Sequence, residues 1–193
     1  MKTASLSGSP RGSVGKKDAN ELRKSERIPG VLYGLGQQHH FHVAELELHR
    51  LVYNPEVFRL EFGLDGKVHT CIFKEIQFHP VTDKILHIDL LELDETKPVR
   101  VDLPLRTTGT SPGVMAGGRL ELQYRRVPVI GLPKDLPEFV GVDISNLEIG
   151  QNVRVRDLSV PNCTVLLSDS TLLAAVQQTR AAMAAAAAAA ASK

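Results

Sequence analysis

The segment from Phe58 to Lys74 limits the possible folds more than any other. Phe58–Leu64 alternates apolar and polar residues, Asp65-Gly66 interrupts it, and a second run follows from Lys67 to Lys74. Alternation with period two puts every second side chain on one face, the pattern of a half-buried strand. Asp-Gly between two such runs supplies the positive φ angles of a tight two-residue turn, so this segment is a β-hairpin. The same punctuation recurs nearby. Val31-Leu32-Tyr33 is bounded by Pro29 and by Gly34 and Gly36, Phe41–Ala44 alternates, Glu75–Pro80 prolongs the second hairpin arm, and Ile85–Leu93 follows a Thr82-Asp83-Lys84 turn. Only two stretches have helical spacing: one runs from a cap at Asp18 or Asn20 to about Arg27, where Pro29 ends it, and the other is Leu46–Tyr53. Short strands, tight turns and two short helices predict a small closed or nearly closed β-barrel.

Asp94–Pro98 has the composition of a boundary, and alternation begins again at Val99. A glycine-rich loop spans Gly109 to Gly118, and prolines at 98, 104, 112, 128, 133, 137 and 161 favour loops and edge strands over helices. The expected organisation is a mainly β chain. Its N-terminal barrel domain is 1–93, a second β-rich domain is 94–178, and an alanine-rich low-complexity tail is 179–193.

Bulk properties exclude more than they select. The formal net charge is +1 over 193 residues, so any electrostatic argument has to be local. Cys71 and Cys163 are too far apart in sequence to suggest a zinc site or a disulfide framework. Both lie in apolar runs and read as buried, reduced thiols of a cytoplasmic protein. The N-terminus lacks the apolar core of a secretory signal, and no run reaches membrane-spanning length. The loop of residues 8–18 looks at first like a phosphate loop. Counting back from Gly15-Lys16, however, puts Pro10 where the first glycine belongs, and Lys17 stands where a hydroxyl is needed. No nucleotide, metal or other cofactor is expected.

The local charge is informative. Residues 1–28 contain seven cations (Lys2, Arg11, Lys16, Lys17, Arg23, Lys24 and Arg27) and three acids (Asp18, Glu21 and Glu26), giving +4, which leaves −3 for the rest. A basic segment of this kind is the footprint of a nucleic-acid binder. His87 and Asp89 share a strand face by their i, i+2 spacing, Gln77 and His79 repeat the arrangement on the preceding strand, and a Thr-Asp-Lys turn can pair the two. Glutamine, histidine and aspartate side by side can read the donors and acceptors on base edges, and Tyr33 can stack or bond to ribose. On the bland reading these residues are simply a solvated sheet face. On a third reading His87 and Asp89 are parts of a small hydrolase, although the sequence has no nucleophile elbow to complete it.

The ordered set Arg11…Gly15-Lys16…Leu22-Arg23…Ile28-Pro29…Val31-Leu32-Tyr33-Gly34, followed by Gln77-Phe78-His79-Pro80…His87-Ile88-Asp89, resembles the bacterial large-subunit ribosomal proteins that bind 5S ribosomal RNA. Pro112–Glu121, Leu132–Glu138, Val142–Leu147 and Ile149-Gly150 fall in the order of the long, two-domain general-stress (Ctc) form, so the likeness covers about residues 1–178. The resemblance implies a six-stranded N-terminal barrel that grips the loop E region of 5S ribosomal RNA, chiefly through the minor groove. Arg11, Lys16, Arg23 and Tyr33 would be backbone and groove contacts, and Gln77, His87 and Asp89 the reading face, with His79 nearby. It also implies a structural protein with no enzymatic activity, whose partners are 5S ribosomal RNA and other large-subunit components, without membrane or small-molecule ligand. Asn20-Glu21 departs from the basic pair common at this point, leaving Lys17 and Lys24 as substitutes. The competing view is a stress-related protein–protein module acting through the second domain.

Overall fold

A computed structural model of the chain describes residues 1–180 and 182, so the tail expected over 179–193 lies almost wholly outside the described residues. The chain forms two compact units. One comprises Met1–Val99 with Leu132–Glu138, and the other comprises Arg100–Gly131 with the chain from Phe139 onward.

The first unit contains β1 (Lys2–Ser7), β2 (Ser9–Pro10), α1 (Lys16–Lys24), β3 (Arg27–Gly34), β4 (Gln37–Ala44), α2 (Glu45–Val52), β5 (Phe58–Leu64), β6 (Lys67–Phe78) and β7 (Ile85–Glu92). The strands bond in the order β1-β5-β6-β7-β3-β4-β2. The two ends of that order are one stretch of chain. β1 runs parallel to β5 up to the Ser7–Gly63 pair, and β2 then takes up antiparallel pairing with β4 at Ser9–His42. Gly8 joins them, and its N–H donates to the Gly63 carbonyl at 2.9 Å. The sheet thereby curls into a barrel of six chain runs, joined through the short β2–β4 pairing. The sequence prediction of a mainly β chain with an N-terminal six-stranded barrel holds.

The interior explains the alternation. Ile28, Leu32, Phe41, Val43, Leu60, Phe62, Cys71, Ile88 and Leu90 point inward and are buried, and Leu48 of α2 joins the same core. Phe41 and Phe62 pack with ring centroids 4.5 Å apart at a 52° tilt. Asp65 (φ 50°) and Gly66 (φ 77°) form the expected turn of the β5–β6 hairpin. Burial pushes the Cys71 thiol up to about 12, with the Glu92 charge adding to the effect, so it stays protonated. Cys163 differs from expectation: it lies on a short strand of the second unit and is only half-buried.

Three sequence boundaries shift. β3 begins at Arg27, so Pro29 lies inside a strand rather than just past a helix. It is tolerated because β7 pairing starts only at Gly30, so the N–H that proline lacks is not needed by that partner. α1 starts at Lys16, and Ser9–Pro10 pairs as a strand within what reads as an open loop.

The second unit continues with β8 (Val99–Thr108), α3 (Pro112–Met115), β9 (Arg119–Leu122), β10 (Arg126–Gly131), β11 (Val140–Asp143), β12 (Asn152–Arg154), a 3-10 turn (Val155–Asp157), β13 (Cys163–Val165) and β14 (Leu172–Gln177). These strands make a four-stranded sheet, β11-β8-β10-β13, and a three-stranded sheet, β12-β14-β9. Leu103, Val127, Val129, Leu173, Ala174 and Val176 are buried in it. Ser111 is buried as well, with its hydroxyl donating to the Leu147 carbonyl at 2.5 Å while capping α3 at the Val114 N–H. Among the described residues no helix is long and apolar enough to cross a membrane.

Closure depends on the missing side chain at Gly8, because a Cβ there would lie 2.5 Å from Cζ of Phe62. Phe62 is fully buried and cannot swing away. Gly8→Ala is expected to lower the unfolding free energy by about 1–3 kcal/mol in urea titration. Gly12→Ala, which meets nothing within 4 Å, should change it by under about 0.5 kcal/mol.

Candidate nucleic-acid interface

Strand register assembles a polar surface on the outside of the barrel. Gln77 of β6 is the direct partner of His87 on β7, and Glu75 is the partner of Asp89. Asp89 in turn is opposite Val31 of β3, with Tyr33 two residues further along the same face. Three neighbouring strands therefore present Glu75, Gln77, His87, Asp89 and Tyr33 together, with Ile88 and Leu90 directed into the core. A β-bulge makes this possible. Pairing skips a residue between Phe73 and Glu75, which reverses the alternation of β6. Cys71 packs in the core, yet Glu75 and Gln77, at the same parity in sequence, are exposed.

Within the surface, His87 Nδ1 and Asp89 Oδ1 are 2.8 Å apart, so the imidazole and the carboxylate sit side by side as a close pair. Tyr33 is half-buried. Burial first, then the charges of Asp89 and Glu75, hold its phenol above the ordinary value, and it remains a neutral donor. His79 lies just past the end of β6 and staples the turn. Its Nδ1 accepts from the N–H groups of Val81 (3.3 Å) and Thr82 (3.2 Å), and its backbone closes on Lys84 and Asp83. The strand repeat expected for Gln77 and His79 thus extends only to Gln77.

α1 flanks this surface. It buries no residue fully, and nine residues are too few to be stable alone, so polar ties help to hold it beside half-buried Ala19 and Leu22. Arg23 Nε donates to the Leu86 carbonyl at 3.1 Å, immediately before His87, and Nη1 donates to Asn20 Oδ1 at 3.3 Å. Asn20, the departure from the expected basic pair, therefore helps to orient Arg23. Arg11 is turned inward: its side chain is only 6% exposed and its guanidinium pairs with Asp18 in the first turn of α1. Lys16 and Lys17 are exposed at the start of the helix, where cations oppose the helix dipole and gain nothing from the fold.

Sequence reasoning did not find the pairing of Arg27 with His42. Arg27 Nε donates to His42 Nδ1 at 2.7 Å, and Nη2 reaches Ser9 Oγ at 3.4 Å. Burial, followed by the charges of Arg27 and Arg11, lowers the His42 pKa. The available signal was position: Ser9, Arg27 and His42 fall on three adjacent runs of the closed barrel.

With this geometry in place, the comparisons with known proteins are specific. Residues 6–90 match the sequence model of the Ribosomal L25p family, and residues 98–180 match that of the C-terminal domain of ribosomal protein TL5. These two matches define a ribosomal protein of the two-domain kind. A protein of Amoebophilus asiaticus named large ribosomal subunit protein bL25 is 41% identical over 177 residues, covering 92% of this chain and 90% of the relative. The protein of the same name from Porphyromonas gingivalis is 42% identical over 179 residues (92% and 93%), and that from Cytophaga hutchinsonii is 38% identical over 176 residues (91% and 92%). The chain belongs to the ribosomal L25p family, in its long form with a TL5-type second domain, and is a structural protein rather than an enzyme.

Two outcomes test the local architecture. The proton that charges His42 must land on Nδ1, where Arg27 already donates. The unfolded chain, with an ordinary value of 6.5, therefore takes up this proton more readily than the folded one. The contribution is complete above that value and is lost as the pH falls below it. The drop in melting temperature between pH 7.5 and 5.5 should be smaller in His42→Gln, whose carbonyl can still accept from Arg27. In the second test, Asp18→Ala should speed amide exchange in α1 without changing exchange in the β5–β6 hairpin.

Proposed function

We propose that this chain binds 5S ribosomal RNA at its loop E region, through the outer face of β6, β7 and β3 and the adjoining α1. The chain is a structural component of the large ribosomal subunit, and this contact is the means by which it is held there. The single observation that supports the reading is the alignment of Gln77, His87, Asp89 and Tyr33 on one exposed face, with Arg23 fastened to the residue beside His87.

The chemistry follows from the side chains. Phosphate contacts position a protein on RNA, whereas contacts to base edges and 2′-hydroxyls discriminate. Lys16, Lys17 and the unengaged guanidinium nitrogen of Arg23 serve the first purpose, with Lys24 beside them. Gln77, His87 and Asp89 serve the second, and Tyr33 offers a ring face and a hydroxyl to ribose. Two carboxylates in the grid would repel a phosphate placed directly over it, so the backbone belongs over α1 and the groove over the strands. Arg11 works through Asp18 to set the helix, and His79 by holding the turn next to Gln77.

Purified chain titrated with 5S ribosomal RNA should bind with an affinity that falls with salt at a log–log slope of roughly −3 to −4, for about four phosphate contacts. Arg23→Ala should weaken binding to any RNA. His87→Ala or Asp89→Ala should erase the preference for loop E over a fully paired duplex of equal length, and Tyr33→Ala should reduce affinity more than melting temperature. A salt-insensitive complex, or an unchanged preference in both reading-face variants, refutes the assignment.

A further inference from the structure

We propose that the second unit holds its own RNA-backbone site at Tyr124-Arg125-Arg126, separate from the face on the barrel, with a phosphodiester strand of ribosomal RNA as its ligand. The segment joins β9 of the three-stranded sheet to β10 of the four-stranded sheet. It is pinned at both ends: Gln123 N–H donates to the Leu173 carbonyl, and the Arg125 carbonyl accepts from Leu105 N–H, each at 2.9 Å. The backbone is thus fixed to both sheets, yet every residue from Leu122 to Arg126 is exposed. Tyr124 is 37% exposed, large for an aromatic on so short a connection.

The charges here have no use inside the fold. Arg125 and Arg126 have no carboxylate partner among the described residues, and neither has Arg119 on the adjoining strand. Three carboxylates of the second unit are committed elsewhere. Glu121 accepts from the Gln177 amide, Asp143 accepts from the Ser145 N–H and hydroxyl, and Asp157 caps the Arg154 N–H and pairs with Arg156. Arg106, by contrast, is stacked over the Phe139 ring at 5.0 Å. Two adjacent unpaired guanidiniums match phosphate oxygens in charge and in their forked donor geometry. A neighbouring phenol ring gives a splayed base or a ribose a surface to stack on, the combination that single strands and loops require. An acidic protein surface is the rival occupant, and the cross-linking arm below separates the two.

The test uses the full chain and large ribosomal subunits stripped of it. In Arg125→Ala/Arg126→Ala, the log–log salt slope of rebinding should be shallower by about 1.4–1.8, the share of two phosphates. Arg156→Ala, whose guanidinium already has a carboxylate partner, should behave as wild type. Affinity of the double variant for isolated 5S ribosomal RNA should stay within about twofold, and melting temperatures should match. Ultraviolet cross-linking of loaded subunits should leave a nucleotide on the peptide containing Tyr124. Tyr124→Phe should preserve rebinding affinity, and Tyr124→Ala should lower it. Superimposable salt curves, an adduct to a protein neighbour, or an equal loss of 5S binding each overturn the inference. Failure of the wild-type chain to bind 5S ribosomal RNA would defeat the function proposed above and leave the subunit readout to decide this one.

Discussion

Phe62 fills the barrel beneath Gly8, and everything on the outer face depends on that contact. The N-terminal run must cross over the ring to pass from β5 to β4, and only a residue without a side chain can do so there. Once it has crossed, every strand has two neighbours and the β6–β7–β3 face cannot slip. A one-residue slip would exchange inside for outside along a whole strand, placing Gln77 or His87 in the core. Packing in the interior is thus what keeps the polar exterior in register.

The basic segment is held differently. α1 adds nothing to the core, and two arginines fix it from opposite ends, Arg11 through Asp18 and Arg23 through a main-chain carbonyl of β7. The cations left over at Lys16, Lys17 and Lys24 consequently have a defined position relative to His87. Charge alone would make this segment a loose attractor for any polyanion. Fastening it to the strand that bears the polar residues couples long-range attraction to short-range discrimination.

Much of this was legible in the sequence. Asp65-Gly66 announced the hairpin, period-two alternation announced the strands, and i, i+2 spacing put His87 beside Asp89. What escaped the sequence came from tertiary register. Gln77 was expected on the polar face, but not the bulge near Lys74 that brings it there against the inward parity of Cys71 and Phe73. Pro29 reads as a stop by its own backbone chemistry, whereas it is tolerated in β3 because pairing with β7 begins one residue later. Arg11 reads as a free cation because its acid is seven residues away across a turn. Asn20 reads as a lost phosphate contact, although it orients the arginine that remains. The Leu132–Glu138 turn reads as part of the second domain, whereas it groups with the first unit.

The two histidines beside Gln77 are held in different ways. His79 receives two main-chain protons at Nδ1, so its proton is on Nε2 and the ring shows the outside a donor. His87 instead keeps its Nδ1 2.8 Å from the Asp89 carboxylate, so a negative charge lies at its side. The same amino acid thus carries two different meanings a short distance apart, one fixed by main chain and the other by a side-chain charge. A partner that fits must meet them in that order, so the surface has a direction as well as a shape.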